Sequence, residues 1–208
     1  MSLTTFREAL GSKLGEVITP ELAAWLEHNA FDRLDMSRPP FLFGVETYNG
    51  YTIQVELARD ILPQLQVLHE LQWQETEAYR NDRPMKPDIA AALAQERAGQ
   101  LIQVTVRTDA GELVGNLRMY LYTSVHESVL QSKEDTFFIR ADHRGGFLAK
   151  HFWQFMMDGL KRIGVKDIYA YAKRIKRGDG KAINGVGRFL QFMKFTHISD
   201  GYHIHLGD

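Results

Sequence analysis

The sequence predicts an α/β fold: one mixed central β-sheet with helices on both faces, preceded by an N-terminal helical extension. Three observations carry this. From about residue 50 onward, segments that alternate apolar and polar residues are interleaved with segments whose apolar residues recur at helical spacing. A hairpin pattern, "LIQVTVRT", "DAGE", "LVGNLRMYLYTSV", stands shortly before a strand–helix–strand unit, which calls for antiparallel and parallel neighbours in one sheet. Finally, "FFIRADHRGGFLAKHFW" runs from a strand through an Arg-Gly-Gly turn into an apolar-striped helix.

Residues 1–49 form the extension and residues 50–208 the main domain. In the extension, "ITPELAAWLEHNAF" starts a helix, with Thr19 as N-cap, Pro20 at the first helical position and Glu21 near the positive end of the dipole. "MSRPPFLFG" is irregular because Pro39 and Pro40 oppose both helix and sheet interior. "YTIQVELA" then alternates as a strand, and Asp60 caps the next helix, "ILPQLQVLHELQWQE", whose Ile61, Leu65, Leu68 and Trp73 share a stripe. "PDIAAALAQERAG" is a short helix stopped by Gly99. After the hairpin comes a looser "HESVLQSKED", then the strand "TFFIRA". The helix beyond the glycines carries Leu148, Phe152, Phe155, Met156 and Ile163 and stops at Gly164. "DIYAYAK" reads as a strand, "RIKRGDGKAING" as a basic loop, "VGRFLQFMKF" as a short helix weakened by Gly187, and "THISDGYHIHL" as one or two closing strands.

Composition narrows the function classes. Of 208 residues, 44% are hydrophobic and 25% charged, an ordinary globular balance. A formal net charge of −1 gives no global pull toward nucleic acid or anionic lipid. With no cysteine, disulfides, thiolate catalysis and thiolate metal sites are excluded. The N-terminal stretch lacks the apolar core of a signal peptide, and no segment is apolar enough to span a bilayer, so a cytoplasmic protein without membrane contact is expected.

The Arg-Gly-Gly turn has a physical use. The first turn of a helix leaves backbone N–H groups without partners at the positive end of the dipole, and glycines let an anion approach them closely. "HRGGFLAK" offers this, with Arg144 as an added charge; a plain tight turn is the competing reading. Neither a "GxxxxGK[ST]" loop nor a "GxGxxG" after a strand is present, which argues against P-loop and dinucleotide-binding domains. Element order and turn together resemble the GNAT N-acyltransferase superfamily across about residues 50–208. "GELVGNLRMYL" is similar to the family's second and third strands, "EDTFFIRADHRGG" to its fourth, and "LKRIGVKDIYAYAK" to the passage from helix to fifth strand. "RFLQFMKFTHISDGYHIHL" is similar to its closing helix and strands. Within the superfamily the segment "YLYTSVHESVLQSKEDTFFIRADHRGG" most resembles the GNAT-like proteins of tailed phages, which would place the protein in a host cytoplasm.

The resemblance implies an acetyl-CoA-dependent N-acetyltransferase acting on an amine of a small molecule or a protein lysine. It assigns the donor pyrophosphate to the amides of Gly145, Gly146, Phe147, Leu148 and Ala149 beside Arg144, and a backbone donor for the oxyanion to Phe138, Ile139 and Arg140. Three positions depart from the family pattern. Phe147 stands where the central glycine is usual, and Leu190 where many members place a proton-donating tyrosine; Lys194 replaces the glycine before the final Phe. The acceptor must lose a proton. Candidate catalytic groups are Asp135, which matches the phage-type pattern best, Glu134 beside it, and His126 just upstream; a solvated strand end and a surface histidine are the competing readings. Neighbouring strand residues point to opposite faces, so at most one of the two carboxylates faces a cleft.

His203 and His205 share a strand face but have no third ligand, so no metal is expected. Lys173, Arg174, Lys176, Arg177 and Lys181 form the strongest basic run, which could meet CoA phosphates or a nucleic-acid backbone; without interleaved aromatics nucleic acid is not favoured. Two alternatives to the enzyme stay open: a non-catalytic GNAT-fold phage protein working through protein contacts, as a virion or host-takeover component, and a nucleic-acid-modifying acyltransferase. A homodimer is compatible with all three.

Overall fold

The computed structural model describes Thr19 and residues 40–77, 84–173, 175–176, 182–183 and 185–198. Most of the N-terminal extension, including the helix expected after Thr19, lies outside these residues, as do His203 and His205. Arg174, Arg177 and Lys181 of the basic run lie outside them too. Within the described part, six strands form one sheet in sequential order. They are β1 (Val45–Tyr48), β2 (Tyr51–Val55), β3 (Leu101–Thr108), β4 (Leu113–Thr123), β5 (Leu130–Ile139) and β6 (Asp167–Tyr169). The first five are antiparallel to their neighbours, and β6 is parallel to β5, which makes the sheet mixed.

The β1–β2 hairpin turns on Asn49 and Gly50, with φ of 45° and 79°. That pair of left-handed residues is the signature of a two-residue hairpin turn whose twist matches the strands. Residues 45–48, expected in the extension, are therefore a paired strand of the sheet. "VETYNGYTIQV" carries the signal openly: two alternating runs around Asn-Gly.

Helices α2 (Ala58–Thr76) and α3 (Ile89–Arg97) cover one face of the sheet. On that face Ile61, Leu65 and Leu68 pack against Leu113 and Phe138. The start of α2 differs from expectation. Leu57, not Asp60, precedes its first turn and makes no side-chain cap. Instead Glu96 of α3, only 2% exposed, accepts from the backbone N–H groups of Ala58 and Arg59. A carboxylate buried at the positive end of a helix satisfies two otherwise orphaned donors at once.

The opposite face is covered by α4 (Leu148–Arg162). Its Phe152, Phe155, Met156 and Leu160 join Ile53, Val104, Val106, Leu117 and Met119 in the main core. A short α1 (Pro40–Phe43) and α5 (Gly185–Phe192) pack on the same side. Two-residue strands β7 (Ile175–Lys176) and β8 (Ala182–Ile183) form a separate ribbon in the basic loop. Residues 195–198 form no strand.

Strand β5 is longer than expected. It begins at Leu130, so part of the looser "HESVLQSKED" segment is paired with β4, and Glu134 and Asp135 lie in mid-strand instead of at its start. Arg118 of β4 pairs with Thr136 and Met119 with Glu134, which leaves Asp135 as the extra residue of a bulge. On its other edge β5 pairs with β6 only from Gln131 to Lys133. Beyond that point the two chains part.

The fit of α1 against α4 depends on one missing side chain. A Cβ at Gly159 would lie 2.0 Å from two ring carbons of Phe43. Gly159→Ala should therefore lower stability by about 1–3 kcal/mol through overpacking, although alanine favours the helix by roughly 1 kcal/mol. Urea unfolding would measure this, and adding Phe43→Ala to Gly159→Ala should relieve the clash.

Candidate active site

A cavity of about 750 Å³ opens on the α2 face of the sheet. Arg118, Asp135 and Thr136 form its floor. His69, Gln72, Trp73 and Thr76 of α2 form one wall; the segment from Pro84 to Pro87 and Lys173 complete the rim. The bulge explains the floor. In a regular strand Asp135 and Thr136 would face opposite sides; the extra residue turns both toward Arg118.

Asp135 is tightly held. Its Oδ2 receives Arg118 Nε at 2.7 Å and Nη2 at 2.6 Å, and the Thr136 hydroxyl at 3.0 Å. Burial, and then the neighbouring Asp135 carboxylate, raise the Tyr120 hydroxyl above its ordinary value. Glu134 sits differently. Its carboxylate lies at the gap where β5 leaves β6 and accepts the Tyr171 backbone N–H at 3.2 Å. Burial pushes its pKa up to about 7; the Tyr171 bond and Lys173 oppose this, and Asp135 adds to it. Of the two carboxyl groups, Asp135 lines the cavity; Glu134, opposite Met119 in register, does not line it and lies at the gap between β5 and the chain leaving β6. His126 is exposed in the β4–β5 loop and lines neither cavity described here.

His69 was not singled out from sequence. It follows Leu68 and lies four residues after Leu65 on the inward stripe of α2, and a titratable residue at such a position was the available signal. Burial, and then the Arg118 charge, lower its pKa to about 4, so the ring is neutral at pH 7. Its Nε2 lies 3.4 Å from the Asn116 amide nitrogen.

At the far end of β5 the chain enters a short 3₁₀ turn (Ala141–His143) and then Arg144. Arg144 is already engaged. Its two terminal nitrogens meet Glu75 of α2 at 2.7 Å each, and Nε donates to the Ile139 carbonyl at 2.6 Å. The guanidinium lies 5.2 Å from the centre of the Phe138 ring. Gly146 takes φ of +56°, which supplies the reversal before the helix. Gly145 is exposed, and Phe147, 58% exposed, precedes α4 without a side-chain cap. No acidic residue stands in the first turn of α4, so the amides of Leu148 and Ala149 begin the helix with no side-chain acceptor from Phe147.

The β5 amides divide by register. Arg140 N–H donates to the Val114 carbonyl, so it is occupied. Alternation along an antiparallel ladder turns Phe138 the same way, toward β4, and turns Phe137 and Ile139 toward the gap. The Arg140 side chain pairs with Asp142 and Glu112. A second cavity of about 660 Å³ lies between α2 and the β3–β4 turn, lined by Val67, Leu71, Leu113 and Phe138 among others. Leu190 is 6% exposed within the main core. Lys194 takes φ of +71°, the left-handed conformation for which a glycine is usual at that place.

No family model and no curated protein matches the sequence. Solved structures do match the fold. A ribosomal-protein-alanine N-acetyltransferase from Brucella melitensis biovar Abortus 2308 aligns with a TM-score of 0.57 and 19% identity, over 76% of this chain and 100% of its own. An aminoglycoside acetyltransferase from an uncultured soil metagenomic sample, in complex with trehalose, aligns with a TM-score of 0.59 and 14% identity, over 78% and 99%. An acetyltransferase of Trypanosoma brucei aligns with a TM-score of 0.54 and 12% identity, over 75% and 99%. The chain has the GNAT acyltransferase fold; at these identities the likeness speaks to the fold alone. No helix among the described residues is long and apolar enough to cross a membrane. Among them, no three His, Asp or Glu side chains converge as a metal site requires.

The two shifted groups pull stability in opposite directions with pH. His69 is depressed from 6.5 to about 4, so its contribution is present above pH 6.5 and lost as pH falls toward 4. Glu134 is raised from 4.5 to about 7, so its contribution is present below pH 4.5 and lost as pH rises through 7. Each shift is worth on the order of 3 kcal/mol. Relative to the parent, His69→Gln should gain stability as pH falls from 6.5 to 4, and Glu134→Gln should lose it as pH falls from 7 to 4.5. Urea unfolding at a series of pH values would show both slopes.

Proposed function

We propose that this protein is an acetyl-CoA-dependent N-acetyltransferase of the GNAT superfamily, acting on an amine held in the 750 Å³ cavity. The observation that carries this reading is the position of Glu134. A carboxyl group with a pKa of about 7 stands where β5 parts from β6, one residue before the Asp135 that floors the cavity. A general base tuned near the working pH gives the best compromise between being deprotonated and being basic.

The residues of the turn fit the donor in part. The amides from Gly145 to Ala149, at an uncapped helix start without acidic neighbours, would hold its pyrophosphate. Arg144, with its charge already matched by Glu75, supports the turn instead of meeting the phosphates. Acetyl-CoA would supply an acyl thioester; a C–N bond forms as the C–S bond breaks. Glu134 takes the proton from the attacking amine. Asp135, fixed by Arg118 and Thr136, orients the acceptor from the floor. The N–H groups of Phe137 or Ile139, turned toward the gap, are placed to receive the developing negative oxygen. Leu190, buried in the core, has no proton to give, so the leaving sulfur is protonated by water.

A second reading, a GNAT-fold protein that works through protein contacts alone, draws on the engagement of Arg144 and on Leu190. Thermal unfolding with acetyl-CoA separates the two. Ligand at 100 times its Kd should add about 2.7 kcal/mol of stability, and the absence of any shift at millimolar acetyl-CoA would favour the second reading. For the enzyme, kcat/KM should rise with pH through about 7, following Glu134. Glu134→Gln should lower it by about 10²–10⁴-fold and leave acetyl-CoA binding intact.

A further inference from the structure

The floor of the cavity does not end at Asp135. Residues opposite one another on paired strands share a face. Register places Tyr120 opposite Lys133, Tyr122 opposite Gln131, and Lys133 opposite Tyr169. Tyr120 lies two residues beyond Arg118 on β4 and so shares its face, and Arg118 floors the cavity. Lys133 Nζ stands 5.1 Å from the centre of the Tyr171 ring, which brings a fourth tyrosine to the same place. Tyr122 and Tyr171 are 40% and 52% exposed. Four tyrosines thus continue from the cavity across β4 and the β6 strand and exit.

Such rings are rigid, apolar on their faces and polar at their tips, and tyrosine is enriched where proteins bind other chains. Among the described residues the charges nearby are close to balanced. Lys133 and Lys173 stand against Glu127 and Asp167, both of which bond to Gln131. A polyanion needs a clear excess of positive charge, and the described residues of this patch show none. A small amine would be enclosed by the cavity alone and would leave the tyrosines unused.

We propose that the acceptor is a polypeptide, and that Tyr120, Tyr122, Tyr169 and Tyr171 seat the residues flanking its reactive amine. This rests on the transferase reading and adds the substrate class to it. The amine is either a chain N-terminus or a lysine, and the test distinguishes them.

Two fluorescent hexapeptide pools serve as probes: lysine-free peptides with free N-termini, and N-acetylated peptides with one lysine each. Acetylation is read by mass spectrometry and binding by anisotropy. Acetylation of at least one pool is expected. The double variant Tyr122→Ser, Tyr169→Ser, changed at positions with no part in the transfer step, should lower peptide kcat/KM and peptide affinity at least tenfold. Its acetyl-CoA binding, its melting temperature and its slow acetylation of ethylamine should stay as in the parent. Peptide turnover indifferent to the double variant would overturn the proposal and leave the transferase reading standing. So would turnover of ethylamine that exceeds both pools, or displacement of bound peptide by a 12-nucleotide RNA. Failure of acetyl-CoA to bind would overturn both.

Discussion

A single extra residue in β5 shapes the site. Because Asp135 is inserted opposite Arg118, two consecutive side chains turn into the same cavity, and the strand bends away from β6 after only three paired residues. The bend costs hydrogen bonds on one edge of β5. That loss is tolerable because the Tyr171 amide finds the Glu134 carboxylate, and the Ile139 carbonyl finds Arg144. Glu134 is partly buried as a direct result, and loss of solvent is the largest cause of its raised pKa. Floor, gap and base all follow from the same local irregularity.

The two ends of the site are mechanically linked through Arg144. Its fork on Glu75 fixes the Arg-Gly-Gly turn to α2, and the last turn of that helix around Glu75, through Gln72, Trp73 and Thr76, walls the cavity. A planar guanidinium with two parallel bonds to one carboxylate and a third to a backbone carbonyl constrains orientation as well as distance. The start of α4 and the wall of the cavity are thereby set relative to each other, and the anion-holding amides need no help from the arginine to be in place.

Much of this architecture was legible in the sequence, because apolar periodicity and turn residues act locally. The β3–β4 hairpin, the stops at Gly99 and Gly164 and the helix after the glycines stand where their patterns put them. What the sequence could not show depends on contacts between distant segments. Glu96 caps α2 from thirty-eight residues away, a role that local capping rules assigned to Asp60. The partner of Arg144, Glu75, is separated from it by sixty-nine residues, so an arginine that read as a free charge is a matched one. The bulge at Asp135 is a property of a pair of strands, and with it went the true start of β5 and the distinct surroundings of Glu134 and Asp135. His69 was missed for the same reason: its neighbours Asn116 and Arg118 come from β4.

The most direct measurement is a crystal structure of the protein with coenzyme A. The account predicts the pyrophosphate on the amides between Gly145 and Ala149, with the pantetheine arm in the gap between β5 and the chain leaving β6 and its thiol ending near Glu134. Coenzyme A bound elsewhere, or a gap that stays closed by the Tyr171–Glu134 bond with the ligand present at saturating concentration, would contradict it.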